Sequence, residues 1–225
     1  YIKHIETEHP EAYEQLLDEI IERNNERYTV KEIAANYNVT EKFVETKIEE
    51  LREQNGIYSI HEPLKIKSWE PRDYKMEATT IWSFPDRGNW ATHKGNYRGN
   101  WSPYIPRNII QRYSAEGDVV LDQFVGSGTT LVETRLLKRR GIGIDINPSA
   151  LDLARINTNF QREGSTGVII RQGDARNLNF IKSESIDLIC THPPYSNIIK
   201  YSEDIKGDLS HYDIDDFIIE MQKVA

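Results

Sequence analysis

The stretch Asp118-Val119-Val120-Leu121-Asp122-Gln123-Phe124, followed by Val125-Gly126-Ser127-Gly128-Thr129-Thr130, decides the fold. The first seven residues are a short apolar run, long enough for one strand. The turn after them is rich in small residues, and a helix then begins at Thr130 and runs to about Lys138, with Leu131, Val132, Leu136 and Leu137 on its apolar side. A glycine turn between a parallel strand and a helix is where an open α/β sheet presents bare backbone to a ligand. Glycine there accepts positive φ and admits close approach, because no Cβ intrudes.

A second strand, Gly141-Ile142-Gly143-Ile144-Asp145-Ile146, ends in an acid about twenty residues beyond the turn. Such an acid is placed to accept hydrogen bonds from ribose hydroxyls, or else simply ends the strand. Asn147 caps the next helix, and Pro148 takes its first turn, where a missing N–H leaves no bond unmade. That helix reaches about Phe160. A third strand, Gly167–Gln172, leads into Gly173-Asp174-Ala175. The nearly continuous apolar run Ser185–Cys190 is a fourth, as expected where helices cover both sheet faces. It ends in Thr191-His192-Pro193-Pro194-Tyr195. Residues 196–213 are polar and lid-like, and a last helix begins near Ile214. These elements predict an α/β, Rossmann-like sheet of four strands.

Upstream, the spacing predicts a helix from Pro10 to about Asn24, a short helix Val30–Asn36, and a longer one from the Thr40 cap to about Gln54. Ile33, Ala34, Val39, Phe43, Val44, Ile48 and Leu51 would form their core, and Gly56–Ile60 the strand of a wing. Residues 1–62 thus read as a small helix-turn-helix-like domain. The second helix carries Glu41, Glu45, Glu49, Glu50 and Glu53 against Lys42, Lys47 and Arg52, a poor match to phosphate. Packing or protein contact competes there with reading a major groove.

Net charge is −8, but unevenly spread. Residues 1–70 hold 9 basic against 16 acidic side chains, residues 71–117 hold 7 against 4, and residues 118–225 hold 12 against 16. Residues 61–117, which include the basic middle, contain all four tryptophans, Trp69, Trp82, Trp90 and Trp101. Arg87, Lys94 and Arg98, interleaved with aromatics, suit phosphates and unstacked bases. The alternative is a connecting segment, 63–117, packed on the sheet with aromatics as anchors. Within it, a helix Ile105–Tyr113 leads to the central strand.

No apolar run approaches the roughly 18 residues that span a bilayer. The single cysteine, Cys190, excludes an internal disulfide framework and a cysteine-rich zinc site and reads as a core residue. With no signal-peptide pattern, the expected location is cytoplasmic.

Taken together, Leu121–Thr130, the acid at Asp145, Gly173-Asp174-Ala175 and His192-Pro193-Pro194-Tyr195 resemble the S-adenosylmethionine-dependent amino-methyltransferases of DNA. Asn100-Trp101-Ser102-Pro103-Tyr104-Ile105-Pro106 resembles their additional cofactor motif. The likeness covers residues 79–195, and a restriction-modification context goes with it. It implies a Rossmann-like methyltransferase domain at 118–225, and methyl transfer from S-adenosylmethionine to N6 of adenine or N4 of cytosine in duplex DNA, with the target base flipped out. Trp101, Ser102, Pro103, Asp122, Phe124, Gly126, Ser127, Gly128, Thr129, Thr130, Asp145, Asp174 and Ala175 would serve the cofactor. His192, Pro193, Pro194 and Tyr195 would serve the reaction.

The likeness also implies direct displacement at the methyl group, with no metal or covalent intermediate. His192 departs from the family's usual Asp, Asn or Ser, which leaves adenine against cytosine open. The related fold has further strands after the last helix, so a C-terminal segment or a second chain is expected to complete the sheet. The gap between Asp174 and His192 has no room for a target-recognition domain. An amino-methyltransferase of RNA bases and a catalytically silent DNA-binding regulator are the competing readings.

Overall fold

The computed structural model describes residues 30–37, 39–54, 64 and 66–225. The chain divides into two compact units, Tyr1–Ile60 and His61–Ala225. The connecting segment and the sheet, read from the sequence as separate stretches, thus fall in one unit. The expected helix 10–24 and wing strand 56–60 lie outside the described residues.

In the first unit, α1 (Val30–Tyr37) and α2 (Glu41–Gln54) form a tight pair. Val39 N–H donates to Ala34 O at 3.0 Å to close the turn, and the Thr40 hydroxyl accepts from Phe43 N–H at 3.1 Å as the N-cap. Ile33, Ala34 and Val44 are buried together, with Val30, Val39 and Phe43 against them. Ile33, Ala34, Val39, Phe43 and Val44 were expected in this core from the spacing and Val30 was not, while the side chains of Ile48 and Leu51 lie outside the description.

The second unit runs α3 (Tyr104–Tyr113), β1 (Val119–Asp122), α4 (Thr129–Leu136), β2 (Arg140–Asp145), α5 (Pro148–Thr158), β3 (Val168–Gln172), β4 (Leu188–Ile189) and α6 (Ile214–Met221). All pairings are parallel, in the order β3-β2-β1-β4. The chain winds outward from β1 to β3 and then crosses back to β4. The order therefore reverses between β1 and β4, and the crevice beyond their carboxyl ends is the usual ligand position in such a sheet.

Asn147 caps α5, its Oδ1 accepting from Ser149 N–H at 3.0 Å, with Pro148 in the first turn. Gly128 precedes α4 at φ +85°, and a Cβ there would stand 3.0 Å from the Ala154 backbone of α5. Glycine satisfies both demands at once.

Two elements differ from the sequence reading. An apolar side was expected on α4, but seven of its eight residues are buried, Glu133 among them. Leu131 packs with Val125, Leu151 and Ala154, while Val132 and Leu136 meet Trp90 and Phe160 on another side. The helix is sandwiched, so its burial follows from what lies over it rather than from its own period. The fourth strand is the other case: only Leu188 and Ile189 form ladder pairs with β1, not the whole run 185–190. Asp187 N–H and Cys190 N–H still donate to Val119 O and Leu121 O. A four-residue β1 offers no longer partner, and Ile189 is 55% exposed where full burial was expected. Among the described residues no helix is long and apolar enough to cross a membrane.

Candidate active site

A cleft of about 780 Å³ opens over the carboxyl ends of the strands. Asp122 and Phe124 come to it from the end of β1 and the turn, with Gly126 and Thr129. Asp145 comes from the tip of β2, Asp174 and Ala175 from beyond β3, and His192 and Pro194 from beyond β4. Trp101 reaches it from the connecting segment. Residues more than ninety positions apart thus meet because four parallel strands end side by side. Ser102, Pro103, Ser127, Gly128, Thr130, Pro193 and Tyr195 are not in the lining. Ser102 donates to Arg87 O at 2.8 Å and Pro103 caps α3, so both shape the loop that carries Trp101.

The acids differ in their surroundings. Asp145 ties the turn to the sheet: Oδ2 accepts from Gly126 N–H and Oδ1 from Asn147 N–H, each at 2.9 Å. Burial raises its pKa, against those bonds, and Asp208 nearby raises it further. Asp122 is buried at the cleft floor, and burial pushes its carboxyl up to about 6. Its Oδ1 accepts both the Thr191 hydroxyl at 2.8 Å and Phe124 N–H at 3.1 Å. Asp174 is the opposite case: the Arg176 side chain, bonded to both oxygens, holds its pKa below the usual carboxylate range.

At the other end of the cleft three rings stand together. His192 stacks on Trp101, with centroids 4.8 Å apart and planes at 9°, and meets Tyr195 edge-on at 5.2 Å. His192 Nε2 is hydrogen-bonded to the Tyr195 hydroxyl. Burial lowers the His192 pKa, favouring the neutral ring. Cys190, just before this turn, is buried in the core with Ile110 and Val120.

Of the three basic residues, Arg87 is turned inward: its Nη2 donates to Trp101 O at 3.1 Å. Lys94 and Arg98 are exposed, and Arg98 lies near enough to Tyr201 to lower that phenol's pKa against the effect of burial. Trp69 and Trp90 serve packing: Trp69 lies against Phe160, and Trp90 Nε1 donates to buried Glu133 at 2.8 Å.

Several residues were not singled out from sequence. Tyr97, Asn147, Tyr201, Gly207 and Asp208 line the cleft. Asn100, quoted only as part of a motif, stitches the segment to the turn, accepting the Thr129 hydroxyl at 2.6 Å and donating to Ser127 Oγ at 3.2 Å. Only the polar, lid-like character of 196–213 hinted at the lid residues.

The chain is similar to known methyltransferases. A general methyltransferase domain matches residues 114–224. Among curated proteins, a tRNA (guanine(10)-N2)-dimethyltransferase of Methanothermobacter thermautotrophicus is 35% identical over 100 residues, 44% of this chain and 29% of its own. The type II methyltransferase M.MjaII of Methanocaldococcus jannaschii is 33% identical over 88 residues, covering 37% of this chain and 17% of its own. The type II methyltransferase M2.DpnII of Streptococcus pneumoniae reaches 45% over 74 residues, 33% and 26% respectively. The chain therefore spans less than a third of the length of each of these three relatives. The N6/N4 methyltransferase family described as DNA methylase matches residues 8–155, more than half of the 225-residue chain, and the chain belongs to that family.

Proposed function

We propose that the chain binds S-adenosylmethionine in this cleft and methylates the exocyclic amine of adenine (N6) or cytosine (N4) in DNA. The observation that carries the reading is the continuity of one cleft from the glycine turn and the strand-tip acids to His192 and Pro194. When bound, the cofactor would supply an electrophilic methyl group on a sulfonium.

The chain's own residues have the remaining tasks. An ionised carboxylate has about four acceptor positions. Asp145 uses two on Gly126 and Asn147, leaving two for ribose hydroxyls. Asp174, kept ionised by Arg176, suits the adenine amine of the cofactor. An exocyclic base amine is a weak nucleophile because its lone pair is delocalised into the ring. Acceptors for its two hydrogens draw the nitrogen toward tetrahedral geometry. The Pro193 carbonyl and the neutral His192 ring are the acceptors in this reading, and Tyr195 stacks on a base flipped out of the duplex. The Tyr195 hydroxyl now occupies His192 Nε2, so the arriving amine would displace it. Of the three cations singled out in the basic stretch, Lys94 and Arg98 are the exposed ones and so are available to phosphate.

Methyl transfer from labelled cofactor to duplex DNA, single-stranded DNA and RNA tests the reading, and transfer to DNA is expected. A second reading, an amine of an RNA base, is favoured by the similarity to the tRNA guanine methyltransferase; transfer to RNA alone would establish it. Cofactor binding without transfer to any of the three would point to a regulator. Calorimetry with S-adenosylhomocysteine checks the site itself. Asp145→Ala should abolish binding and Asp145→Asn weaken it, since Asn keeps one acceptor oxygen. Undiminished binding by Asp145→Ala would sink the cofactor assignment.

A further inference from the structure

Arg176 stands two residues after Asp174 and outside the cleft lining, yet its guanidinium joins three segments. Nε donates to Asp174 Oδ1 at 2.9 Å and to Oδ2 at 3.1 Å, and Nη2 donates to Oδ2 at 2.5 Å. Nη2 also donates to the carbonyl oxygen of Gly207, in the lid, at 3.0 Å. Nη1 reaches the Glu220 carboxylate on α6. The fixed, planar fork of an arginine can hold all three at once. Gly207 is what lets the lid come this close: its φ is +93°, and a Cβ would stand 2.8 Å from Nη2 and 3.4 Å from Ile146 Cδ1. Asp174 and Gly207 both line the cleft. One side chain therefore orients an acid of the cleft and fastens the backbone that covers it.

We infer that Arg176 is a positioning residue that couples cofactor binding to lid closure, aiming Asp174 into the cleft while it latches the lid through Gly207. The inference rests on the cofactor reading of the cleft. With the lid open, Arg176 keeps Asp174 but loses the Gly207 carbonyl. With the lid closed, Asp174 is held at both oxygens in the orientation it presents to a ligand. Whatever stabilises that orientation stabilises the closed lid, and the reverse holds by linkage. An ion pair that only stabilised the fold would leave both lid opening and ligand affinity alone once the protein had folded.

The test uses the 225-residue chain with Arg176→Gln and Arg176→Lys. Amide hydrogen exchange over residues 200–210 is read without ligand, and S-adenosylhomocysteine affinity by calorimetry. Arg176→Gln should speed lid exchange at least several-fold while the amides of β1 and β2 keep their protection, and should weaken binding about tenfold. Arg176→Lys keeps the charge without the fork, and should fall between Gln and wild type in both measurements. Gly207→Ala gives a second route, crowding the lid away from Nη2 while the Asp174–Arg176 pair stays intact; it too should speed lid exchange, and it carries the test if Arg176→Gln does not fold. Unchanged lid exchange in Arg176→Gln, or in Gly207→Ala, overturns the latch, whatever happens to thermal stability. A wild-type chain that binds no S-adenosylhomocysteine overturns the cofactor reading instead, and the exchange experiment, done without ligand, tells the two failures apart.

Discussion

Two irregular stretches cover the cleft, and they are held by different physics. Residues 66–104 are fastened by buried charge. Glu133 of α4, fully buried, accepts Trp90 Nε1 at 2.8 Å and Arg107 Nη1 at 2.8 Å, and lies 2.7 Å from His93 Nε2. Arg107 also pairs with Glu70, which in turn meets Arg162 at 2.7 Å. Around this network Trp69, Trp90 and Tyr104 pack with Phe160 and Val132. The lid, 196–213, has a single buried apolar side chain, Leu209. Its hold on the rest is polar: Arg176 to Gly207 O, Asn147 Nδ2 to Tyr201 O at 3.0 Å, and a loose stack of Tyr201 on Tyr97 at 6.2 Å. The groups that make these contacts are half-buried, whereas Glu133 is fully buried. The first cover belongs to the core, and the second is built to open.

The largest expected effect tests the fixed cover. Arg107→Ala leaves a buried carboxylate short of its cationic partner and should destabilise the chain by about 3 kcal/mol in urea unfolding. A lid truncation, Tyr201→Ala, should cost less than about 1 kcal/mol in the same assay. Equal losses would erase the distinction between the two covers.

Next in size is Asp122, on the floor beneath both. Burial holds its folded pKa at about 6, above the ordinary carboxyl value of 3.8. Folding therefore favours the protonated acid, and that contribution is present below about pH 4 and lost as pH rises through 6. Asp122→Asn keeps the oxygen that accepts both Thr191 and Phe124 and does not titrate. Relative to it, wild type should lose on the order of 2–3 kcal/mol between pH 4 and pH 7. Parallel stability curves for the two proteins would contradict the burial of a charged group there.

Tyr201→Ala then sharpens the comparison from the lid side. Its small stability change should come with about tenfold weaker S-adenosylhomocysteine binding, on the order of 1.4 kcal/mol. The two quantities should separate for a movable cover and move together for a fixed one.

The smallest effect is a shift in pH. His192 stacks on Trp101, which belongs to the fixed cover, so its partial burial persists when the lid moves. Burial lowers its pKa, and only the neutral ring can accept a hydrogen bond. Single-turnover methylation should fall with acidification below the unperturbed histidine value of roughly 6.5. His192→Asn should retain activity and lose that limb. A limb at or above 6.5, or one kept in the Asn form, would remove His192 from the reaction.

Legibility followed the range of the interactions. The Thr40 and Asn147 caps, the glycine turn and the strand-tip acids were readable because each obeys a local backbone rule. The basic stretch 71–117 read equally as a phosphate surface or as packing, since composition says nothing of direction. Arg87 turned inward to Trp101, and Arg107 entered a buried network. The run 185–190 looked like a fully covered strand, yet the length of β1 limits its ladder and Ile189 stays exposed.

Periodicity, turn chemistry and the order of the motifs are enough to specify a parallel sheet with a ligand turn after its central strand, because these depend on neighbours within a few residues. Partners depend on where distant segments land. Glu133 finds Trp90 forty-three positions away, and Arg176 finds Gly207 thirty-one away and Glu220 forty-four away. No local signal marks those pairs. The crossing from β3 back to β4 brings Arg176 to Gly207 and Glu220, and the stretch before β1 folding over α4 brings Trp90 to Glu133, and so only the tertiary structure decided which cover is fixed, which one moves, and what holds Asp174.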